Sequence, residues 1–173
     1  MKQILLLRHA KSSWDDPGLK DFDRPLAERG LRDAPLMGQF IKKAGYNPAA
    51  IFSSTAIRAK HTSQLAKKAA GIDSDMIHWN EDLYYGSMSH YIDQIQAASD
   101  DHERIMLVGH NPIIENTAGI LSGSDHKIAV RMPTAALVCL ECFAEYWGDV
   151  SAGTCQIKWM MIPKVIKKIM GTQ

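Results

Sequence analysis

The stretch Gln3-Ile4-Leu5-Leu6-Leu7-Arg8-His9 joins a short apolar run to a cationic and a titratable side chain. A run of this length, bounded by polar residues, is typical of a buried β-strand. A second such run, Ile105 to Val108, is followed by Gly109-His110-Asn111-Pro112. Strands that are covered on both faces of a parallel sheet have nearly continuous apolar sequences. The two runs therefore predict central strands that carry polar side chains at their carboxyl ends.

Short apolar runs alternate with amphipathic stretches along the rest of the chain. Further candidate strands are Ala50 to Phe52, Met76 to Trp79, Ala136 to Leu140 and Gln156 to Met161. Helical spacing and end signals predict three helices. The first contains Ala34, Met37, Ile41 and Ala44 and ends at Gly45. The second runs from about Ile57 to Ala70, and the third follows Pro112 and ends before Gly123. This alternation predicts an α/β fold: a single-domain, three-layer α/β/α sandwich over residues 1–173 with a mainly parallel central sheet.

The composition excludes several classes of partner. The chain has 20 Lys plus Arg and 19 Asp plus Glu, a formal net charge of +1. This balance argues against a nucleic-acid partner and against recognition through a broad electrostatic surface. The N-terminal apolar run stops at Arg8, too short for a signal peptide, and no run approaches the roughly 20 residues of a membrane span. Three cysteines, a low and odd count, predict reduced thiols in a cytoplasmic protein, and the lack of a membrane-spanning run predicts no membrane partner.

The ends of three predicted strands carry the side chains that bear chemistry. Arg8 and His9 follow the first strand, Arg58 comes shortly after the second, and His110 follows the fourth. We expect them to meet in one crevice, because ligands of such sheets bind outside the carboxyl ends of the strands. A single histidine there is more often structural, but the repetition favours a site. Guanidinium forks and helix N-termini suit phosphate oxygens, so the predicted ligand is a phosphoryl group.

The same blocks resemble a known family. Leu7-Arg8-His9-Ala10, Ser53-Ser54-x-x-x-Arg58 and Gly109-His110-Asn111 look like the signature of the histidine phosphatase superfamily, in the branch that includes the phosphoglycerate mutases. Ala10, where most of the superfamily has glycine, and the block Asp21-Phe22-Asp23-Arg24-Pro25-Leu26 are similar to the small phosphohistidine phosphatases of the SixA type. The resemblance implies a phosphoglycerate mutase-like fold with little or no cap insertion.

The resemblance also implies roles for the four residues at the strand ends. His9 would be the nucleophile, and Arg8, Arg58 and His110 would hold the phosphoryl oxygens. A neutral imidazole is a competent nucleophile near pH 7, and its attack would give a phosphohistidine intermediate that water hydrolyses. This role requires the other ring nitrogen of His9 to donate a hydrogen bond to a fixed acceptor.

An acid after the third strand usually protonates the leaving group in this superfamily. Asp82, four residues before Gly86, is the better match here, and Glu81 is the second. Imidazole is a far better leaving group than an alkoxide, so a phosphohistidine substrate would tolerate a weak or absent acid. Further candidate substrate-binding residues are Ser12, Asn111 and Thr134, with Lys11 and Arg24 expected near the rim.

The signatures of other phosphatase chemistries are absent from the sequence. No cysteine has an arginine six positions later, and Asp21-x-Asp23 does not follow an apolar strand, so we interpret it as a polar loop over the site. No metal-binding motif is present, so neither a metal nor another cofactor is expected. The basic tail Lys164–Met170 is interpreted as a short terminal helix that docks its apolar side.

These observations predict a metal-independent phosphatase that removes phosphate from phosphohistidine on signalling proteins. Its partner would be a phosphorylated protein or a small phosphorylated substrate. Two alternatives stay open, a phosphatase for small phosphate monoesters and a non-catalytic module that binds a phosphorylated ligand. The sequence makes no prediction about the oligomeric state.

Overall fold

A computed structural model describes residues 1–72, 76–124 and 130–171. The strands in these ranges are β1 (Lys2–Arg8), β2 (Ala50–Ser54), β3 (Ile77–Asn80), β4 (Arg104–Gly109), β5 (Leu137–Cys142) and β6 (Cys155–Met161). They form one sheet in the order β3-β2-β4-β1-β5-β6. Strands β1 to β4 pair in parallel, whereas β5 is antiparallel to β1 and β6 is antiparallel to β5. The predicted mainly parallel sheet is confirmed.

Helices cover both faces of the sheet. They are α1 (Glu28–Lys43), α2 (Ile57–Ala70), α3 (Asp82–Tyr85), α4 (Met88–Gln96), α5 (Ile113–Leu121) and α6 (Pro163–Met170). Leu5 and Leu7 of β1 pack in one buried cluster with α1, α2 and α6, while Ile4 and Leu6 pack in another with α3, α4 and α5. Successive side chains of a strand point to opposite faces, so β1 supplies both cores. This is the three-layer α/β/α sandwich that the sequence predicts.

The predicted elements lie close to the observed ones. All six candidate strands agree with β1 to β6 to within two residues at each end, and α2 spans Ile57–Ala70 as predicted. The C-terminal helix is confirmed as well, because α6 buries Ile166 in the core. The sequence analysis missed α3 and α4. Met88, Tyr91, Ile92 and Ile95 of α4 do follow helical spacing, so α4 was predictable from the sequence, whereas α3 has only four residues.

The cysteines correct one prediction. Cys142 ends β5 and lies in register with Cys155 at the start of β6, and their sulfur atoms form a disulfide of 2.35 Å. Cys139 is a free, buried thiol. The prediction of three reduced thiols is wrong for two of them, because counting cysteines does not show which residues an antiparallel pair sets opposite each other. The cytoplasmic location loses one of its arguments and stays a prediction. In the ranges that the structure describes, no helix is long and apolar enough to cross a membrane.

Two close approaches of the backbone hold the loops at the carboxyl edge of the sheet. Gly30 of α1 lies against the carbonyl oxygen of Lys11, in space that a Cβ atom would fill. Gly109 lies in the same way against the hydroxyl of Tyr91. That hydroxyl donates to the carbonyl oxygen of Leu83 at 2.9 Å and accepts from the backbone N–H of His110 at 3.3 Å. The loop after β1 and the first residue after β4 are therefore both fixed by packing.

Candidate active site

A cavity of about 280 Å³ opens at the carboxyl end of β1. Its lining consists of Arg8, His9, Lys11, Ser12, Trp14, Asp21, Arg24, Arg58 and Thr134. The ring of His110 lies beside it, with its centroid 5.0 Å from that of His9. The structure thus brings together all four residues predicted from the strand ends, and it places Lys11 and Arg24 in the lining.

His9 is held as a neutral imidazole whose two ring nitrogens have different partners. Its Nδ1 lies 2.8 Å from the carbonyl oxygen of Ala10, which can only accept, so Nδ1 carries the hydrogen. Nε2 then presents its lone pair, towards which the Nε–H of Arg58 points at 3.3 Å. Burial, together with the charges of Arg58 and Arg8, lowers the pKa of His9 to about 3, although the Ala10 hydrogen bond acts in the opposite direction. The Ala10 carbonyl is the fixed acceptor that a nucleophilic histidine requires.

His110 offers a hydrogen-bond donor without a charge. Its Nε2 lies 2.8 Å from the Ser54 hydroxyl oxygen, which also accepts from the backbone N–H of Ala56 at 3.3 Å. Both groups are satisfied when the Ser54 hydroxyl donates to Nε2, which leaves the hydrogen on Nδ1. That nitrogen is buried and has no hydrogen-bond partner among the described residues. Burial, together with the neighbouring His9 and Arg58, lowers the pKa of His110 to about 2, so the ring is neutral.

Three arginines approach the cavity from different segments. Arg8 donates from Nη1 to the carbonyl oxygen of Met132 at 2.8 Å, and its Nε is buried without a partner in the described ranges. Arg24 donates to the Ser12 hydroxyl, and its guanidinium lies 3.3 Å from the centre of the Trp14 ring. Burial lowers the pKa values of Arg8 and Arg24, but an arginine stays charged at any pH near neutrality. Positive charge is thus concentrated around His9.

Asp21 and Tyr84 complete the site, and the sequence analysis assigned neither of them a role in it. The Asp21 carboxylate lies 2.8 Å from Nη2 of Arg58 and 2.9 Å from Nη1 of Arg24. The Tyr84 hydroxyl donates to the same carboxylate at 2.9 Å, and the Tyr84 ring meets His110 edge-on at 5.2 Å. Burial alone would raise the pKa of Asp21, but the Tyr84 hydrogen bond and the charge of Arg58 lower it. The interpretation of Asp21-x-Asp23 as a polar loop over the site fits this geometry.

Comparison with known proteins gives the family. A family model described as histidine phosphatase superfamily (branch 1) matches residues 4–83. An uncharacterised protein of Mycobacterium tuberculosis is 34% identical over 165 residues, which cover 91% of this chain and 100% of that protein. A solved structure from Agrobacterium tumefaciens, assigned as the phosphohistidine phosphatase SixA, is 32% identical with a TM-score of 0.76 and covers 94% of this chain and 99% of that chain. The chain belongs to the histidine phosphatase superfamily.

Within this superfamily the chain has the SixA-like fold. The structure of the protein histidine phosphatase SixA complexed with tungstate has a TM-score of 0.81 over 95% of this chain and 99% of that one. At 18% identity that likeness concerns the fold alone. The predicted SixA-like histidine phosphatase fold is therefore confirmed, and the family supports a phosphatase.

The two candidate acids of this histidine phosphatase lie outside the cavity lining. Asp82 begins α3 and Glu81 precedes it, and both side chains are exposed. Neither carboxylate makes a hydrogen bond or ion pair within the described chain, whereas the backbone N–H of Asp82 donates to the Asn80 side chain at 2.8 Å. Asp21 is the one acid in the described lining, and two arginines hold it. The role of Asp82 as proton donor stays a prediction.

The remaining candidates lie in or beside the cavity. Ser12 is buried in the lining, and Thr134 lines it as well, accepting from Nη2 of Arg29 at 2.9 Å. Asn111 turns its amide towards Glu115, at 2.6 Å, and towards the Met132 carbonyl, at 3.0 Å. The Met132 carbonyl also accepts from Arg8, so Asn111 contacts the segment that orients Arg8.

Proposed function

We propose that the protein is a metal-independent phosphatase that removes phosphate from phosphohistidine on proteins through a phosphorylated His9. The observation that carries this proposal is the state of His9: it is neutral, held at Nδ1 by the Ala10 carbonyl, and its Nε2 lone pair lies in the cavity, where it accepts from the Nε–H of Arg58 at 3.3 Å. Around it, Arg8, Arg24 and Arg58 supply the positive charge that a transferring phosphoryl group needs.

The reaction takes two displacements at phosphorus. In the first, the lone pair of His9 Nε2 forms a bond to phosphorus, while the substrate's P–N bond breaks and its electron pair stays on the departing imidazole, which takes a proton from water. In the second, a water oxygen attacks phosphorus and gives up a proton, which neutralises the hydroxide left by the first displacement, while the electron pair of the breaking P–N bond returns to Nε2. Phosphoryl transfer has a loose transition state, so charge neutralisation and positioning account for most of the rate. The Nδ1–H of His110 supplies a further donor for a phosphoryl oxygen.

The surroundings of the leaving group support phosphohistidine as the substrate. An alkoxide leaves well only when an acid protonates it, whereas an imidazole leaves far more readily. The Asp82 carboxylate is exposed and makes no hydrogen bond or ion pair in the described chain, and Asp21 is held as a carboxylate by Arg24 and Arg58. A site without an acid ready to donate fits a nitrogen leaving group better than an alkoxide. The SixA assignment of the Agrobacterium tumefaciens structure agrees with this substrate.

Trapping the intermediate tests the mechanism. Brief incubation with substrate labelled in the phosphoryl group should leave label on His9 that is labile to acid and stable to alkali. The His9→Ala variant should lose both the label and turnover, whereas a change at the exposed His61 to alanine should keep both. A fully active His9→Ala variant would overturn the mechanism. The activity should also survive EDTA, because no step uses a metal.

A substrate panel tests the specificity. Phosphohistidine protein and small phosphate monoesters such as sugar phosphates are compared by kcat/KM in the wild type and in Asp82→Asn. We expect phosphohistidine to be preferred and its hydrolysis to be insensitive to Asp82→Asn. Preferred ester hydrolysis that Asp82→Asn removes would instead identify an ester phosphatase with Asp82 as its acid. Tight binding of vanadate without hydrolysis of any substrate would identify a binding module.

A further inference from the structure

Two further clefts continue from the catalytic cavity across the surface. The first, of about 570 Å³, shares Arg8, Lys11 and Thr134 with that cavity. The second, of about 520 Å³, shares Arg29, Pro133 and Thr134 with the first and runs to α6. We call the two clefts together the basic trough; its cationic lining residues are Arg8, Lys11, Arg29, Arg131, Lys164, Lys167 and Lys168.

The acids in the lining are already held by internal partners. Asp33 is buried and lies 2.9 Å from Nζ of Lys167 and 3.4 Å from Nε of Arg29. Glu115 accepts from the Asn111 amide at 2.6 Å and from the Met132 backbone N–H at 3.2 Å. The negative charge of the lining is therefore used to fix the walls of the trough.

Several of the cations have no such partner. Lys11, Arg131, Lys164 and Lys168 form no ion pair with a carboxylate anywhere in residues 1–72, 76–124 and 130–171, and the last three are exposed. Lysines without an ion pair also lie elsewhere in the described ranges, as Lys43 and Lys68 do, so the trough is distinguished by having its unpaired cations along one cleft that joins the catalytic cavity. A local excess of unpaired cations attracts and orients an anionic partner.

We infer that the basic trough binds an acidic segment of the same phosphoprotein whose phosphohistidine enters the catalytic cavity. The inference rests on the proposed function and adds to it the kind of sequence that surrounds the phosphohistidine. The two clefts are continuous with the catalytic cavity, and this supports the inference. One bound chain can place its phosphorylated residue at His9 and its carboxylates beside Lys164 and Lys168. Pro133, Ile162 and Pro163 give the second cleft apolar walls for intervening side chains.

The shape of the trough favours a protein segment over a membrane. A concave cleft admits an extended or helical segment, whereas a bilayer surface needs a flat or convex contact. Ile166 of α6 packs in the core, but Val165 and Ile169 of the same helix are exposed, so vesicles are included in the binding measurement below. The concave, cation-lined shape of the trough is what favours the Asp and Glu side chains of a protein segment.

Two synthetic phosphohistidine peptides test the inference. They have equal length and differ in that one carries glutamates on both sides of the phosphohistidine and the other carries glutamines. We expect kcat/KM for the glutamate peptide to exceed that for the glutamine peptide about tenfold at low salt. The ratio should fall towards one at about 0.5 M NaCl, because salt screens exposed charges.

Variants locate the effect. The Lys164→Glu/Lys168→Glu double variant should bring the ratio to about one or below, and Lys164→Gln/Lys168→Gln, which perturbs α6 less, should lower it part of the way. The matched control is Lys43→Glu/Lys68→Glu, which makes the same change in charge at exposed positions outside the trough and should keep the wild-type ratio. A ratio near one in the wild type, or an equal fall in the control, overturns the inference.

A binding measurement separates this inference from the proposed function. Fluorescence anisotropy is recorded with the unphosphorylated glutamate and glutamine peptides and the wild-type protein. If neither phosphopeptide is hydrolysed, the proposed function fails. The inference about the trough is then supported if the glutamate peptide binds more tightly than the glutamine peptide and loses that advantage in the Lys164→Glu/Lys168→Glu variant, and it is overturned otherwise. Stronger binding to phosphatidylglycerol vesicles or to single-stranded DNA than to the glutamate peptide overturns the assignment to a protein segment.

Discussion

Acidification should weaken the folded state through the two neutral histidines of the active site. Burial lowers the pKa of His9 to about 3 and that of His110 to about 2, whereas a histidine in an unfolded chain titrates near 6.5. Between these values the unfolded chain binds a proton at each position and the folded protein does not. The stability is therefore fully present above about pH 6.5 and is lost progressively as the pH falls.

The size of the effect follows from the unfolded chain. At about pH 5, protonation of one histidine with a pKa of about 6.5 stabilises the unfolded state by about 2 kcal/mol, so the two together give about 4 kcal/mol. This is a large share of a total stability of about 5–15 kcal/mol. Arg8, Arg24 and Arg58 oppose protonation of the folded site. The pKa of Asp21 is lowered from an ordinary value near 4, so its titration falls below this window.

Urea unfolding followed by circular dichroism between about pH 7.5 and 5 measures this loss. His9→Gln and His110→Gln should each reduce the loss by about 2 kcal/mol relative to the wild type. The same substitution at the exposed His61 should leave the loss unchanged and controls for a general effect of histidine removal. If the wild type loses less than about 1 kcal/mol, or if the two variants lose as much as the wild type, the histidines are not held neutral and the argument for His9 as a neutral nucleophile fails.

Three further outcomes are expected. Asp21→Asn should make inorganic phosphate inhibit about 3- to 10-fold more tightly, because it removes a negative charge that competes for Arg58; weaker inhibition would mean that orienting Arg58 matters more. Arg24→Lys should lower the free energy of unfolding by about 1–2 kcal/mol in thermal or urea unfolding, because a lysine cannot bridge two partners as the planar fork does. Alkylation of the denatured protein without reductant should modify one cysteine. The Cys142–Cys155 bond links residues 13 positions apart, so its reduction should lower the free energy of unfolding by up to about 3 kcal/mol.

The proximity of Arg8, His9, Arg58 and His110 could be predicted because parallel topology turns local sequence into spatial position. Arg8, His9 and His110 directly follow apolar runs, and Arg58 lies in the first turn of the helix after β2. The carboxyl ends of parallel strands lie at one edge, so four local patterns are enough to predict one site. The same reasoning fails for Cys142 and Cys155, since their pairing depends on the register of two antiparallel strands.

Asp21 and Tyr84 could not be predicted, because their role depends on contacts between distant segments. Their hydrogen bond joins residues 63 positions apart, and it forms only because the turn Asp21–Asp23 and the short helix α3 meet above Arg58. Neither segment has an apolar periodicity that predicts its orientation. Asp82, the acid expected from the family pattern, lies on the same short helix as Tyr84 but has an exposed side chain. A difference of two positions on a helix separates a residue at the pocket from one in solvent.

Net charge does not show where on its surface a protein concentrates its charges. A sum over the chain contains no distances, whereas a charge at the surface acts over only about 8–10 Å at physiological salt. Asp21 and Asp33 are each bound by two cations, so these acids neutralise charge within the fold and leave other cations unpaired. Lys164 and Lys168 are among the cations left over, and they lie on the helix that borders the trough. A formal net charge near zero is therefore compatible with a positive surface, because acids such as Asp21 and Asp33 are bound within the walls of the cavity and the trough.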